Sequence, residues 1–141
     1  MTYKHGLHEV KYQYGLHDTV INRIIRTDNG IVLEFDDGVY LLDGTGRETV
    51  LSKKCYLELK INDFDRRNMF EHISITLDYK RKLKEIEYAE FETMLSKNAF
   101  SVYLDYYCPF ANSLLIKGSI DKYGIEFVVT EIAELTYSFD D

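Results

Sequence analysis

A chain of 141 residues, 45% hydrophobic and 14% aromatic, has the size of one domain and enough apolar content to bury its own core. Its formal charge of −7 repels a phosphate backbone, which excludes nucleic acid as a direct ligand. No apolar run approaches the roughly 20 residues of a spanning helix, no secretory h-region opens the chain, and the two cysteines, Cys55 and Cys108, lack metal spacing, so a reducing, cytoplasmic home is expected.

The sequence reads as a single domain over 1–141, with 1–9 a flexible N-terminal arm. The first 18 residues hold an echo: Tyr3-Lys4-His5-Gly6-Leu7-His8-Glu9 is followed by Tyr12-Gln13-Tyr14-Gly15-Leu16-His17-Asp18. Imidazole and carboxylate suit zinc or nickel, so His5, His8, His17 and Asp18 form a candidate metal set. The competing reading is an extended segment with surface histidines, in which Val10, Tyr12 and Tyr14 alternate as an edge strand does. His17 then serves as a structural histidine held by Asp18 or a backbone carbonyl.

Asp28-Asn29-Gly30, between Val20–Ile25 and Ile31–Phe35, predicts a hairpin whose Asn-Gly supplies positive φ angles. Asp36-Asp37-Gly38 turns the chain again into Val39-Tyr40-Leu41-Leu42, giving a three-strand meander over 19–42. The stretch Val39-Tyr40-Leu41-Leu42-Asp43-Gly44-Thr45-Gly46, with Thr49-Val50-Leu51 after it, resembles the catalytic strand end of retroviral-type aspartic proteases. Gly44 is inserted between Asp43 and Thr45, which spoils the turn that would bring two carboxylates to one shared proton. A turn joining two strands is therefore expected, and no protease role is carried over.

Cys55, Leu57, Leu59 and Ile61 alternate with Tyr56, Glu58 and Lys60, which predicts a half-buried strand with Cys55 in the core. Ile73, Ile75, Leu77 and Tyr79 likewise oppose His72, Ser74, Thr76 and Asp78. One strand puts His72 and Asp78 about 20 Å apart, too far for a relay, so these read as a solvated face. Lys80-Arg81-Lys82 with Lys84 reads as a solvated strand end. Tyr88, Phe91, Met94 and Leu95 share a helical face, which predicts one helix over about 87–97 with Asn98 able to cap it. Cys108, before Pro109, reads as exposed, with no adjacent base to activate it.

A last hairpin pairs Leu114, Ile116 and Ile120 with Ile125, Phe127 and Val129 across Asp121-Lys122-Tyr123-Gly124, with Gly124 as the left-handed residue. The strand after it runs on to about Phe139. Glu131 is the one charge on its apolar face, so a bulge near Glu131 and Ile132 is expected in place of an inward carboxylate.

About nine strands and one short helix predict a mainly β fold, an antiparallel sandwich or strongly curved sheet. The alternative is an α+β fold with the helix packed on an antiparallel sheet. Residues 1–84 carry a net charge of +1 and residues 85–141 a net of −8, and five of the twelve tyrosines lie at 103 and beyond. An acidic, tyrosine-bearing C-terminal half suits docking to a basic protein, because opposite charge steers encounter and tyrosine gives contact area at low entropy cost. The expected contact residues are Glu87, Glu90, Tyr103, Tyr106, Tyr107, Tyr123, Glu126 and Glu134. In size and acidity the chain looks like many bacterial immunity proteins that neutralise a basic toxin nuclease, so an immunity-type or regulatory, non-enzymatic role with no cofactor is expected. Two other classes stay open: a small-molecule or enzyme site with Glu131 and His17 as its polar groups, and a structural protein that forms a homodimer through an exposed edge strand.

Overall fold

Alternating side chains commit most of this chain to strands, and the computed structural model describes residues 1–6 and 13–141. In chain order the strands are β1 (Thr2–His5), β2 (Tyr14–Gly15), β3 (Val20–Ile21), β4 (Arg23–Arg26), β5 (Gly30–Phe35), β6 (Tyr40–Leu42) and β7 (Glu48–Leu51). They continue with β8 (Cys55–Ile61), β9 (Ile73–Tyr79), β10 (Lys82–Ile86), β11 (Phe100–Cys108), β12 (Ser113–Ile120), β13 (Tyr123–Val129) and β14 (Ile132–Phe139). A 3-10 turn, Met69–Glu71, precedes β9, and the helix α1 (Tyr88–Lys97) follows β10.

These strands form three antiparallel sheets, ordered β1-β14-β8-β5-β4, β10-β9-β13-β12-β11-β3 and β2-β6-β7. The expected sandwich-like, mainly β architecture is present, with fourteen described strands where about nine were expected. The extra strands arise because apparently continuous runs change sheet. Val20–Ile25 splits at Asn22, whose N–H donates to the Glu34 carbonyl and whose side-chain oxygen accepts the Asp36 N–H. That leaves β3 on β11 and β4 on β5. The long final strand splits the same way at Thr130 and Glu131, with β13 in the six-stranded sheet and β14 in the five-stranded one. Glu131 is left-handed (φ 56°) and exposed at this corner, and the register shifts between Ile132 and Glu134 just beyond it.

The hairpin of β4 and β5 is as expected, but the meander is not. β6 pairs with β2 and β7, and the second neighbour of β5 is β8. Gly30 serves a different purpose from the expected one: neither it nor Asn29 is left-handed, but a Cβ at Gly30 would stand 1.9 Å from the Leu59 carbonyl oxygen. Here glycine permits two strands to approach. In the last hairpin Asp121 (φ 54°) takes the left-handed position expected of Gly124, which instead lies within β13 opposite Ser119 and Asp78. Thr2–His5, expected in a flexible arm, is the edge strand paired with β14, while residues 7–9 of that arm, with Val10 and Tyr12, lie outside the described residues.

The core lies between the two larger sheets. Ile31, Leu33, Phe35, Leu57, Leu59 and Leu135 of one sheet and Ile73, Ile75, Leu114, Ile116, Phe127 and Val129 of the other are buried in a single cluster. Cys55 is fully buried there, and burial pushes its thiol up to about 12, so it is an inert core residue. Helix α1 follows the extended Glu87 at its N-cap and ends at Lys97, close to the bounds its periodicity predicts, and it packs on β4 and β9. Phe91 reaches the rings of Phe100 and Phe127 at 5.8 and 5.2 Å between centroids, and Arg26 ties the helix to β4 by an ion pair with Glu92. Asn98 follows the last turn in an extended conformation, its N–H donating to the Met94 carbonyl.

Candidate functional site

The outer face of the six-stranded sheet is set by cross-strand register. Inward positions form rows such as Tyr107, Leu114, Val129 and Ile73, all buried. One residue along, Tyr106, Leu115, Val128 and Ser74 form an outward row, and beside it run Leu104, Lys117, Glu126, Thr76 and Glu85. A bulge between Val102 and Leu104 inserts Tyr103 as an extra residue, so two consecutive side chains, Tyr103 and Leu104, both reach solvent. The exposures of Tyr103, Leu104 and Tyr106 are 54%, 43% and 55%, and Phe110, in the turn after β11, is 95% exposed. That turn adjoins the acidic corner, because the Ile132 N–H donates to the Asn112 carbonyl and Glu131 is the residue before it.

The expected contact residues divide between this face and other places. Tyr103, Tyr106 and Glu126 lie on it. Tyr107 is buried in the core, its hydroxyl donating to the Asn112 side chain. Tyr123 is half-buried at the β12–β13 hairpin against Tyr79. Glu87 and Glu90 are exposed at the start of α1. Glu134 belongs to the other sheet, where Lys4 at 3.2 Å and the Thr136 hydroxyl hold its carboxyl below the ordinary carboxylate range.

A second feature is the cleft of about 300 Å³ between the three-stranded sheet and β11, lined by Tyr14, His17, Leu42, Glu48 and Asp105. The chain from β2 to β3 turns tightly here: the Asp18 N–H donates to the Val102 carbonyl, and the Thr19 hydroxyl to that of Leu16. Asp105 is at an inward position, and burial raises its pKa against the opposing effect of the Leu16 and His17 N–H groups that its carboxylate accepts. His17 Nε2 lies 3.7 Å from Asp18 and Nδ1 3.9 Å from Glu48, so the ring bridges two carboxylates. These three residues are the metal-capable group among the described residues, all exposed, with donor atoms up to 4.8 Å apart. Donors about 2.0–2.1 Å from one ion must draw closer than that. Of the expected metal set, His17 and Asp18 are brought together, joined by Glu48. His5 is buried on β1 against the Tyr107 ring, and His8 lies outside the described residues.

The remaining motifs are structural. Asp43 Oδ1 accepts the Thr45 N–H and hydroxyl and the Arg47 N–H, and Gly46 is left-handed (φ 85°), so the protease-like stretch is the turn joining β6 and β7. These bonds, with the Thr45 hydroxyl first, hold the Asp43 carboxyl below its usual range. His72, expected on a solvated face, is buried; its Nε2 accepts the Asp65 N–H and its carbonyl that of Thr130. Glu131, expected beside a ligand, is exposed at the corner, and His17 lines its own cleft.

No family model, no curated protein and no solved structure matches this chain. The outer face was only partly visible in the sequence. Leu104, Leu115 and Val128 each adjoin apolar residues of the opposite parity, as in Leu114-Leu115-Ile116 and Phe127-Val128-Val129. Such breaks in alternation are the signal that an outward position is apolar. Glu48 carried no sequence signal, because nothing local places it beside His17.

Proposed function

We propose that this protein is a non-enzymatic binding domain that docks a basic protein on the outer face of the six-stranded sheet, in an immunity-type or regulatory role. One observation carries the reading: Tyr103, Leu104, Tyr106 and Phe110 stand exposed together along β11 and its turn, continuous with Leu115 and Val128. A contiguous apolar patch of this kind, rimmed by polar groups, is costly in an unpartnered protein and marks an interaction surface. Glu126, Glu85 and Glu131 lie at its margins, against Lys117 within it, and the surrounding half of the chain is strongly acidic. A basic partner is steered toward such a surface, and the aromatic centre supplies the affinity.

The test is retention of a partner from source-cell lysate at low and high salt, comparing the wild type with a Leu104→Ser/Tyr106→Ala double variant. A basic protein held by the wild type, released as salt rises and bound at least thirtyfold more weakly by the variant, about 2 kcal/mol, supports the reading. Equal retention by both overturns it. A homo-oligomeric reading has one observation of its own: β7 is an edge strand with Val50 and Leu51 exposed and no lysine within it to discourage pairing. A mass that rises with concentration in light scattering distinguishes it.

A further inference from the structure

Lys80-Arg81-Lys82 with Lys84, expected as a solvated strand end, acquires further neighbours in the fold. β9 and β13 are adjacent and antiparallel, so the β9–β10 and β12–β13 turns stand side by side at one end of the six-stranded sheet. The Tyr79 and Tyr123 rings meet there at 5.2 Å between centroids. Lys80 lies 5.2 Å from the centre of the Tyr79 ring, and Lys122 lies 5.4 Å from that ring and 5.5 Å from Tyr123. Five cations, Lys80, Arg81, Lys82, Lys84 and Lys122, are thus gathered at this end of an acidic protein, against three acids, Asp78, Glu85 and Asp121. All five cations are exposed, and none forms an ion pair among the described residues.

Two independent features accompany the charge. Leu83, between Lys82 and Lys84, is 74% exposed, and its cross-strand row runs through Asp78, Gly124 and Ser119, which give it no apolar side chain to pack on. The fold therefore holds a large apolar side chain among cations without using it in the core. The turn itself is strained: Lys80 and Arg81 are both left-handed, where Asn-Gly would sit at lower cost. Strain retained to project two cations points to a use for them. The clefts beside β11, at α1 and at the chain ends are lined by other residues, so these two turns form a projection rather than a groove. β10 is an edge strand, but its alternate lysines discourage a peptide from pairing with it. A projection with cations, tyrosines and one exposed leucine matches a flat, deformable anionic surface, in which aromatic rings sit at the headgroup level and apolar tips enter. The negative charge on the remainder of the chain orients the molecule so that this end leads.

We propose that this end of the six-stranded sheet docks on an anionic phospholipid surface, with the five cations on the headgroups and Leu83 entering the interface. The site lies at the other end of β9 and β13 from Ser74 and Val128, and it stands whether or not the aromatic face of β11 docks a protein. The chain has no tryptophan, so Leu83→Trp supplies a single reporter of insertion. The experiment is flotation of the full chain with vesicles of phosphatidylcholine alone or with about 30% phosphatidylserine, at low and high salt, together with emission spectra of Leu83→Trp. Binding to the anionic vesicles alone, release as salt rises and a blue shift of the bound Leu83→Trp support the proposal. Reversal of the two turn cations, Lys80→Glu/Arg81→Glu, should weaken binding at least tenfold, and Lys122→Glu on the neighbouring turn about fivefold. These side chains are exposed, and an unchanged circular dichroism spectrum shows that each variant keeps the fold. Absence of binding to anionic vesicles, equal binding to neutral ones, unchanged affinity in the reversed variants, or no emission shift in bound Leu83→Trp would overturn it. Poly-glutamate or a single-stranded oligonucleotide that binds more tightly than anionic vesicles at equal charge would assign the patch to another polyanion and overturn the lipid assignment.

Discussion

Asp105 occupies an inward position on β11 where its row neighbours are Ile116, Phe127 and Ile75. Burial is the largest influence on its carboxyl and raises the pKa in the folded state above that of the unfolded chain, although the backbone N–H groups of Leu16, His17 and Asp105 itself and the His17 ring oppose the rise. The sign follows by linkage: the fold favours the protonated form, so this contribution is fully present below the unfolded carboxylate range and is lost as pH rises through the folded value. Asp105→Asn, neutral at every pH, should therefore gain stability relative to the wild type between about pH 4 and about pH 8. Urea unfolding of both proteins at the two pH values checks this, and a constant difference would refute it. The sequence shows an acid at residue 105, but its burial depends on the β2–β3 turn, which is distant in sequence. For the same reason His17 and Asp18 were legible as a pair of metal-capable types, whereas Glu48, brought in by β7, was not.

At the scale of elements, local pattern was readable and pairing was not. The helix at Tyr88–Lys97, the strands at Cys55–Ile61 and Ile73–Tyr79, and the turn at Asp43–Gly46 follow from periodicity and turn chemistry, while the turn at Asp28–Gly30 stands where expected but without the left-handed residues that Asn-Gly suggests. The breaks at Asn22 and at Thr130–Glu131 do not, since Val20–Ile25 and Ile125–Phe139 each read as one strand until a second sheet claims half of them. One hairpin carries strain that sequence alone understates. β9 and β10 meet at Tyr79 and Lys82, and both turn residues, Lys80 and Arg81, are left-handed (φ 51° and 66°). A two-residue turn with both φ angles positive prefers Asn-Gly, and side chains there cost stability. Replacement Arg81→Gly should stabilise the protein by about 1 kcal/mol, read as a rise in the urea midpoint at unchanged slope. A fall would show that Arg81 makes contacts worth more than the backbone relief.

For the whole molecule, the chain's crossings between sheets bind them into one unit. β3 and β4 are consecutive yet lie in different sheets, and so do β13 and β14, so neither sheet can be taken apart without breaking a strand connection to the other. The shared core gives the same expectation of a single cooperative transition. Far-UV and near-UV circular dichroism should give coincident thermal midpoints, and separated midpoints would show that the sheets melt independently. The sandwich-like class was legible from strand count and turn spacing, but the order of strands was not, because register between distant segments leaves no local mark.

That order also sets a timetable for synthesis. β14 lies between β1 and β8, so both of those strands keep an open flank until residues 132–139 have left the ribosome. Throughout that interval the nascent chain exposes Leu57 and Leu59 beside unpaired backbone, the combination that invites aggregation and that chaperones shield. Truncation or stalling before β14 is thus expected to yield insoluble chains rather than a smaller folded domain.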